Sequence, residues 1–142
     1  MVEVDSIKQA YDQVCPFRVI IAGTRTFDDY ELLKAKCNEL LANKERIEVV
    51  SGTNGYRHED GTIKSGADLM GEQWAKENGH PVKQFPPDWD SYGKIAGPRR
   101  NEQMAEYADA LIAFRGPGKS NGTDGMIKLA KAYKIPVRII KY

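Results

Sequence analysis

Five short apolar runs recur along the chain: Phe17–Ala22, Ile47–Val50, Pro81–Phe85, Ala110–Phe114 and Ile135–Ile140. Each is too short for a buried helix, and the first is continuous rather than alternating, as in a strand covered on both faces. Between them the apolar residues fall at helical spacing. One helix starts at about Asp28 and carries Leu32, Leu33, Ala35, Cys37, Leu40 and Leu41 on its apolar side, with Asp28 and Asp29 near its positive N-terminal dipole. A second follows Gly66-Ala67-Asp68 through Leu69, Met70, Trp74 and Ala75 and stops at Asn78-Gly79. Gly97-Pro98 opens a third containing Met104 and Ala105, and a fourth spans Gly122–Tyr133 with Met126, Leu129 and Ala130. Ser6–Val14 is expected to form a short helix ahead of these, because Ile7, Ala10, Tyr11 and Val14 share a face. Five strands alternating with helices predict an α/β fold with a parallel sheet, helices on its faces and right-handed crossovers.

Length and composition narrow the setting. The 142 residues suit one domain, residues 1–142, with 1–16 as a helical extension. No apolar run approaches the ~20 residues of a membrane span, and the acidic N-terminal stretch does not read as a secretory signal. Cys15 and Cys37 lack any CxxC or zinc spacing, so a reducing, cytoplasmic setting is expected. A net charge of +1 argues against general nucleic-acid binding, and any charge-based recognition must be local. Thr53–Ser65 is polar throughout and reads as a long loop, of the kind that forms functional lids or mobile segments.

The candidate chemistry gathers after the strands. Ala110–Phe114 runs into Gly116, Pro117, Gly118, Lys119, Ser120, Asn121 and Gly122, and helical spacing resumes at Thr123. Strand, glycine-rich loop and helix start can present backbone N–H groups and a helix N-terminus to an anion, with Lys119 as a mobile charge and Ser120 and Thr123 as hydroxyl donors. The spacing is not that of a Walker loop. The other reading is an ordinary strand-to-helix connection. Gly23-Thr24-Arg25 and Ser51-Gly52 also follow strands, so all three loops should face one edge of the sheet, where open parallel sheets bind ligands. Arg25, Arg115, Lys119 and the Arg99-Arg100 pair supply up to five cations there, each equally readable as a solvated surface charge. Arg99 and Arg100 point about 100° apart on a helix, so at most one aims inward.

Asp68 and Asp124 each read either as a helix cap or as a ligand contact. Trp89 and Tyr92 are expected in a loop, and packing beneath it is preferred to stacking on a base. His58 and His80 stand apart from any metal-ligand spacing, and no nucleophilic triad assembles. Cys37, on a core-type helix face, reads as an inert thiol.

Together, Val19–Arg25 ending in Gly-Thr-Arg, Ser51-Gly52 with Gly66-Ala67-Asp68, GPRRNEQMAEYADALIAF at Gly97–Phe114 and GKSNGT at Gly118–Thr123 resemble the SLOG superfamily. The nearest likeness is to its YspA-like branch, small domains of bacteria and their phages, and it covers about Phe17–Ile140. The resemblance implies a Rossmann-like three-layer sandwich with a five-stranded, mainly parallel sheet. It also implies a ligand carrying phosphate and ribose, such as ADP-ribose, an NAD-derived signal or a nucleoside phosphate, with the chain acting as a sensor or sequestering protein. Asp68 would then accept a ribose hydroxyl, and Gly116–Thr123 would hold phosphate. The superfamily includes the lonely-guy phosphoribohydrolases, whose glycine-rich turn precedes a catalytic Glu. Gly122-Thr123 matches the end of that turn, but the Glu position falls on Met126, which is neither acid nor base. Phosphate binding therefore carries over better than hydrolysis. Were the chain an N-glycosidase, Asp68 or Asp124 would have to supply the carboxylate. Single-stranded DNA binding, found among other relatives, fits the charge less well. No cofactor or metal is implied, and pairing into homo-oligomers is consistent with the superfamily.

Overall fold

A computed structural model describes residues 16–142; the expected helix at Ser6–Val14 and Cys15 lie outside them. Five strands, β1 (Phe17–Gly23), β2 (Ile47–Ser51), β5 (Val82–Gln84), β6 (Ala110–Arg115) and β7 (Val137–Lys141), form one sheet in the order β5-β2-β1-β6-β7. Every pairing in it is parallel. Counted along the chain, the order is third, second, first, fourth, fifth, that of a doubly wound, Rossmann-like fold, and it reverses between β1 and β6.

The central strand shows why its sequence is apolar without alternation. Val19 and Ile21 enter one core with Leu33 and Cys37 of α1 (Tyr30–Leu40) and Met70 and Trp74 of α2 (Ala67–Glu77). Ile20 and Ala22 point to the other face, toward Met104 and Ala105 of α4 (Ala96–Tyr107) and Met126, Ile127 and Ala130 of α5 (Asn121–Ala132). Successive side chains of a strand leave by opposite faces, so a strand between two helical layers must be apolar at every position. Full burial of each such Val or Ile is worth ~1.5–3 kcal/mol, which makes β1 a strong anchor of the sheet.

The helix ends follow local chemistry. Asp29 caps α1 by accepting the Leu32 amide at 3.1 Å, and Asn78 closes α2, its amide donating to the Trp74 and Ala75 carbonyls. Thr53–Ser65 is not the open loop that its polarity suggests. Tyr56–Arg57 (β3) and Ile63–Ser65 (β4) pair antiparallel around Asp60-Gly61, and the His58 amide donates to the Thr62 carbonyl at 2.8 Å. Asp60 accepts both the amide and the hydroxyl of Thr62, bonds that hold its carboxyl below the usual range. An Asp-Gly turn signal lay within the stretch. After Pro86-Pro87, Asp88 caps a short helix α3 (Trp89–Tyr92), where only a loop was expected, and a 3-10 turn at Gly93–Ile95 leads into α4. No helix among the described residues is long and apolar enough to cross a membrane.

Candidate functional site

The reversal of strand order leaves a crevice outside the C-terminal ends of β1 and β6, and a cavity of about 710 Å³ occupies it. That volume lies within the ~300–1,000 Å³ typical of small-molecule sites. Its floor is Ala22-Gly23-Thr24-Arg25, leaving β1. The floor needs glycine for space: a methyl at Gly23 would stand 2.7 Å from both Ala67 Cβ and the Phe114 carbonyl. On one side stand Lys119, Ser120, Gly122 and Thr123 at the start of α5; on the other, Asn54, Tyr56 and Asp68. Gly97, Arg100 and Asn101 of α4 complete the wall with Trp89.

Three helices begin at this cavity without a side-chain cap. Gly66 precedes α2, Ile95 precedes α4, and Ser120 precedes α5 without its hydroxyl bonding to the helix. By contrast, α1 and the short α3 are capped by Asp29 and Asp88. At α5 the Asp124 amide donates to the Ser120 carbonyl, and the amides of Asn121, Gly122 and Thr123 have no protein acceptor among the described residues. Amides so exposed, reinforced by the helix dipole and Lys119, make the α5 start an electropositive part of the lining.

The five expected cations separate into three groups. Lys119 and Arg25 line the cavity. Arg100 does so too, although it is 6% exposed. Its Nη1 donates to the Gly52 carbonyl and, at 3.3 Å, to the Phe85 carbonyl, while Nε donates to Asn101 Oδ1 at 2.8 Å. Arg100 thereby ties the ends of β2 and β5 to α4. Its Nη2 has no protein acceptor among the described residues and is not among their sealed, unsatisfied atoms, so it keeps a donor for the cavity. Arg99 turns outward to Glu102 at 2.9 Å, which settles which of the two arginines faces in. Arg115 does not converge on the crevice. It forms a two-pronged pair with Asp124, 2.8 and 3.2 Å, outside the lining. The same pair removes Asp124 from the cavity and holds its carboxyl below the usual range.

Asp68 is the buried carboxylate of the site, 6% exposed at the start of α2. Its Oδ2 accepts the Asn54 amide at 3.1 Å. Burial pushes its carboxyl up to about 7, against the opposing pull of that amide and the Arg100 charge. Gly52 lies between the two groups: a methyl there would be 2.9 Å from Asp68 Oδ2 and from Arg100 Nη1. Ser51 is sealed behind the wall, donating to Glu72 at 2.6 Å and accepting the Thr53 amide at 3.0 Å. Gly66 adopts φ +119° and meets the Gly55 Cα, so it serves the turn into α2. Gly116 packs under the Tyr142 ring, and Gly118 supplies a positive φ in the cradle loop; neither lines the cavity. Met126, in the place of the lonely-guy carboxylate, does line it.

Several lining residues had no signal in the chain. Asn54 and Tyr56 enter through the β3–β4 hairpin, and Asn101 faces inward only because Arg100 does. Trp89, expected to pack beneath a loop, is instead 58% exposed at the cavity, because the capped α3 holds it clear of the core. Tyr92 lies outside the lining, near Arg99. Burial pushes the Cys37 thiol up to about 12, as an inert core thiol requires, and lowers the pKa of His80, which packs against Trp74. Among the described residues no three His, Cys, Asp or Glu side chains gather as metal ligands.

Comparison with known proteins agrees with this architecture. A family model described as the YspA, cpYpsA-related SLOG family (YAcAr) matches residues 17–92, which hold the floor, the hairpin, Asp68 and Trp89. The Gene 61 protein of Mycobacterium phage D29 is 33% identical over 127 residues, 84% of this chain and 93% of that protein. No solved structure matches. With more than half its length under the family model, the chain belongs to the YspA, cpYpsA-related SLOG family.

Proposed function

We propose that the chain binds a phosphorylated ribosyl nucleotide, a nucleoside phosphate or an ADP-ribose- or NAD-derived molecule, as a sensor or sequestering protein. Membership of the SLOG family supports a nucleotide-related ligand. The observation that carries the reading is the uncapped start of α5, with Lys119 beside it, at the reversal of strand order. Phosphate would accept from the amides of Asn121–Thr123, Lys119 would add charge, and Arg25 from the floor and Arg100 Nη2 from the α4 wall would contribute. Asp68 would accept a ribose hydroxyl.

One observation favours a second reading, an N-glycosidase of lonely-guy type. Asp68 is a cavity carboxyl whose pKa, raised to about 7, suits proton transfer near neutrality. Against it, Met126 replaces the expected carboxylate, and Asp124 is committed to Arg115.

Native mass spectrometry of the purified protein, followed by thermal shift against nucleotides, NAD and ADP-ribose, tests both readings. Saturation at 100 times Kd stabilises a protein by ~2.7 kcal/mol. Lys119→Ala is expected to weaken binding roughly tenfold, the worth of one charge-assisted contact. An intact bound nucleotide fits sensing or sequestration. Free base in solution, lost in Asp68→Asn, would replace that reading with the enzyme.

A further inference from the structure

Two large aromatic side chains stand at the cavity with nothing stacked on them. Tyr56 is 47% exposed at the foot of the hairpin, and Trp89 is 58% exposed on α3. Both line the cavity. Neither ring pairs with another aromatic or with a cation among the described residues, whereas Phe27, Trp74, Phe85 and Tyr107 all do. Trp89 is held there by a cap rather than by chance: Asp88 accepts the Ser91 amide at 3.1 Å and fixes the one turn that carries it.

The position of these rings along the sheet edge gives the cavity a direction. The cradle follows β6 and Trp89 follows β5, three strands away, while Tyr56 pairs with Ser65, whose hydroxyl donates to the Arg25 carbonyl beyond β1, and so stands between them. At ~4.8 Å per strand the cradle and Trp89 are about 14 Å apart, too far for inorganic phosphate or a bare sugar phosphate to touch both ends. One end is rich in free amides beside Lys119; the other presents the exposed indole of Trp89. A molecule matching both ends has an anion at one extremity and a flat π-surface at the other.

We infer that Trp89 and Tyr56 form a nucleobase subsite, with the ligand lying across β1, its phosphate on α5 and its base over the aromatic end. This rests on the nucleotide reading above and adds an orientation and a selectivity to it. The ligand must carry a base, and the stacking platform tolerates different bases because every base has a π-face. A rival seat exists on the wall of Met104, Met126 and Leu129, between α4 and α5. A base there would leave Trp89 in water.

The chain has two tryptophans, and Trp74 is 2% exposed, so quenching by a ligand reports on Trp89. Fluorescence excited at the red edge of tryptophan absorption and calorimetry would be run with AMP, GMP, CMP, UMP, ADP-ribose and ribose 5-phosphate. At least one base-bearing probe is expected to bind tenfold or more tighter than ribose 5-phosphate and to quench the wild type. That quenching disappears in Trp89→Phe, which keeps affinity, while Trp89→Ala loses about tenfold. Trp89 is exposed, so neither substitution endangers the fold. Nucleotide binding by calorimetry with no quenching and no loss in Trp89→Ala would overturn the base subsite and leave the nucleotide reading standing. No heat with any probe would overturn both.

Discussion

At Gly52 a methyl group would stand 2.9 Å from Arg100 Nη1 and 2.9 Å from Asp68 Oδ2, whereas at Gly122 and Gly125 it would meet nothing within 4 Å. The two sides of the crevice thus use glycine for opposite reasons. On the β2 side, glycine lets a buried carboxyl and a buried guanidinium close around the chain, and the wall is full. On the β6 side, glycine clears the first turn of α5, and the space remains open to the cavity. One side is frame and the other is receiving surface. A motif reading treats Gly23, Gly52, Gly66 and Gly122 alike as ligand contacts, yet of these only Gly23 and Gly122 line the cavity.

Removing the clamp should have the largest effect. Arg100→Met leaves the Gly52 and Phe85 carbonyls and Asn101 Oδ1 without their donor and Asp68 without its nearest cation. Denaturant unfolding is expected to show a loss of ~3 kcal/mol or more. Arg99→Met, one residue away but paired only with Glu102 at the surface, should stay within ~0.5 kcal/mol. Equal losses would erase the distinction between frame and surface.

Asp68 sharpens the comparison through pH. Its folded pKa, about 7, lies above the ordinary 3.8, so the fold holds this proton more tightly than the unfolded chain does. The resulting stabilisation is complete below about pH 4 and is lost as pH rises through about 7. Asp68→Asn keeps an acceptor for the Asn54 amide and carries no charge. It should be more stable than wild type at pH 8, with the gap closing by pH 4 in parallel urea titrations. A gap independent of pH would mean that Asp68 is not buried as an acid.

The smallest effect distinguishes the two glycine environments. Gly125→Ala, in a helix with free space around it, should raise stability by ~0.5–1 kcal/mol while placing a methyl in the cavity and weakening ligand binding. Gly52→Ala should instead cost ~1–3 kcal/mol, since neither neighbour can withdraw.

The sheet was legible because its two central strands carry unbroken apolar runs and its helices do not, a contrast that survives without any knowledge of contacts. Val19–Ala22 and Leu111–Phe114 are the clearest cases. The cradle was legible because its residues are consecutive. Lys119, Ser120, Gly122 and Thr123 reach the cavity together, as one loop must. What escaped was assembled across the sheet. Asn54 and Tyr56 depend on a hairpin turned by Asp60-Gly61, and Trp89 depends on a cap at Asp88. The pairing of Arg115 with Asp124 joins residues nine apart across a loop, and no linear spacing distinguishes it from two free charges.

The central claim is that the uncapped start of α5 receives the anionic end of the ligand. Amide proton–nitrogen spectra of labelled protein, titrated with AMP and ADP-ribose, test it most directly. The amides of Asn121, Gly122 and Thr123 should move downfield and saturate, while Leu32, in the capped first turn of α1, stays fixed. Saturable binding that leaves those three amides unmoved would contradict the claim.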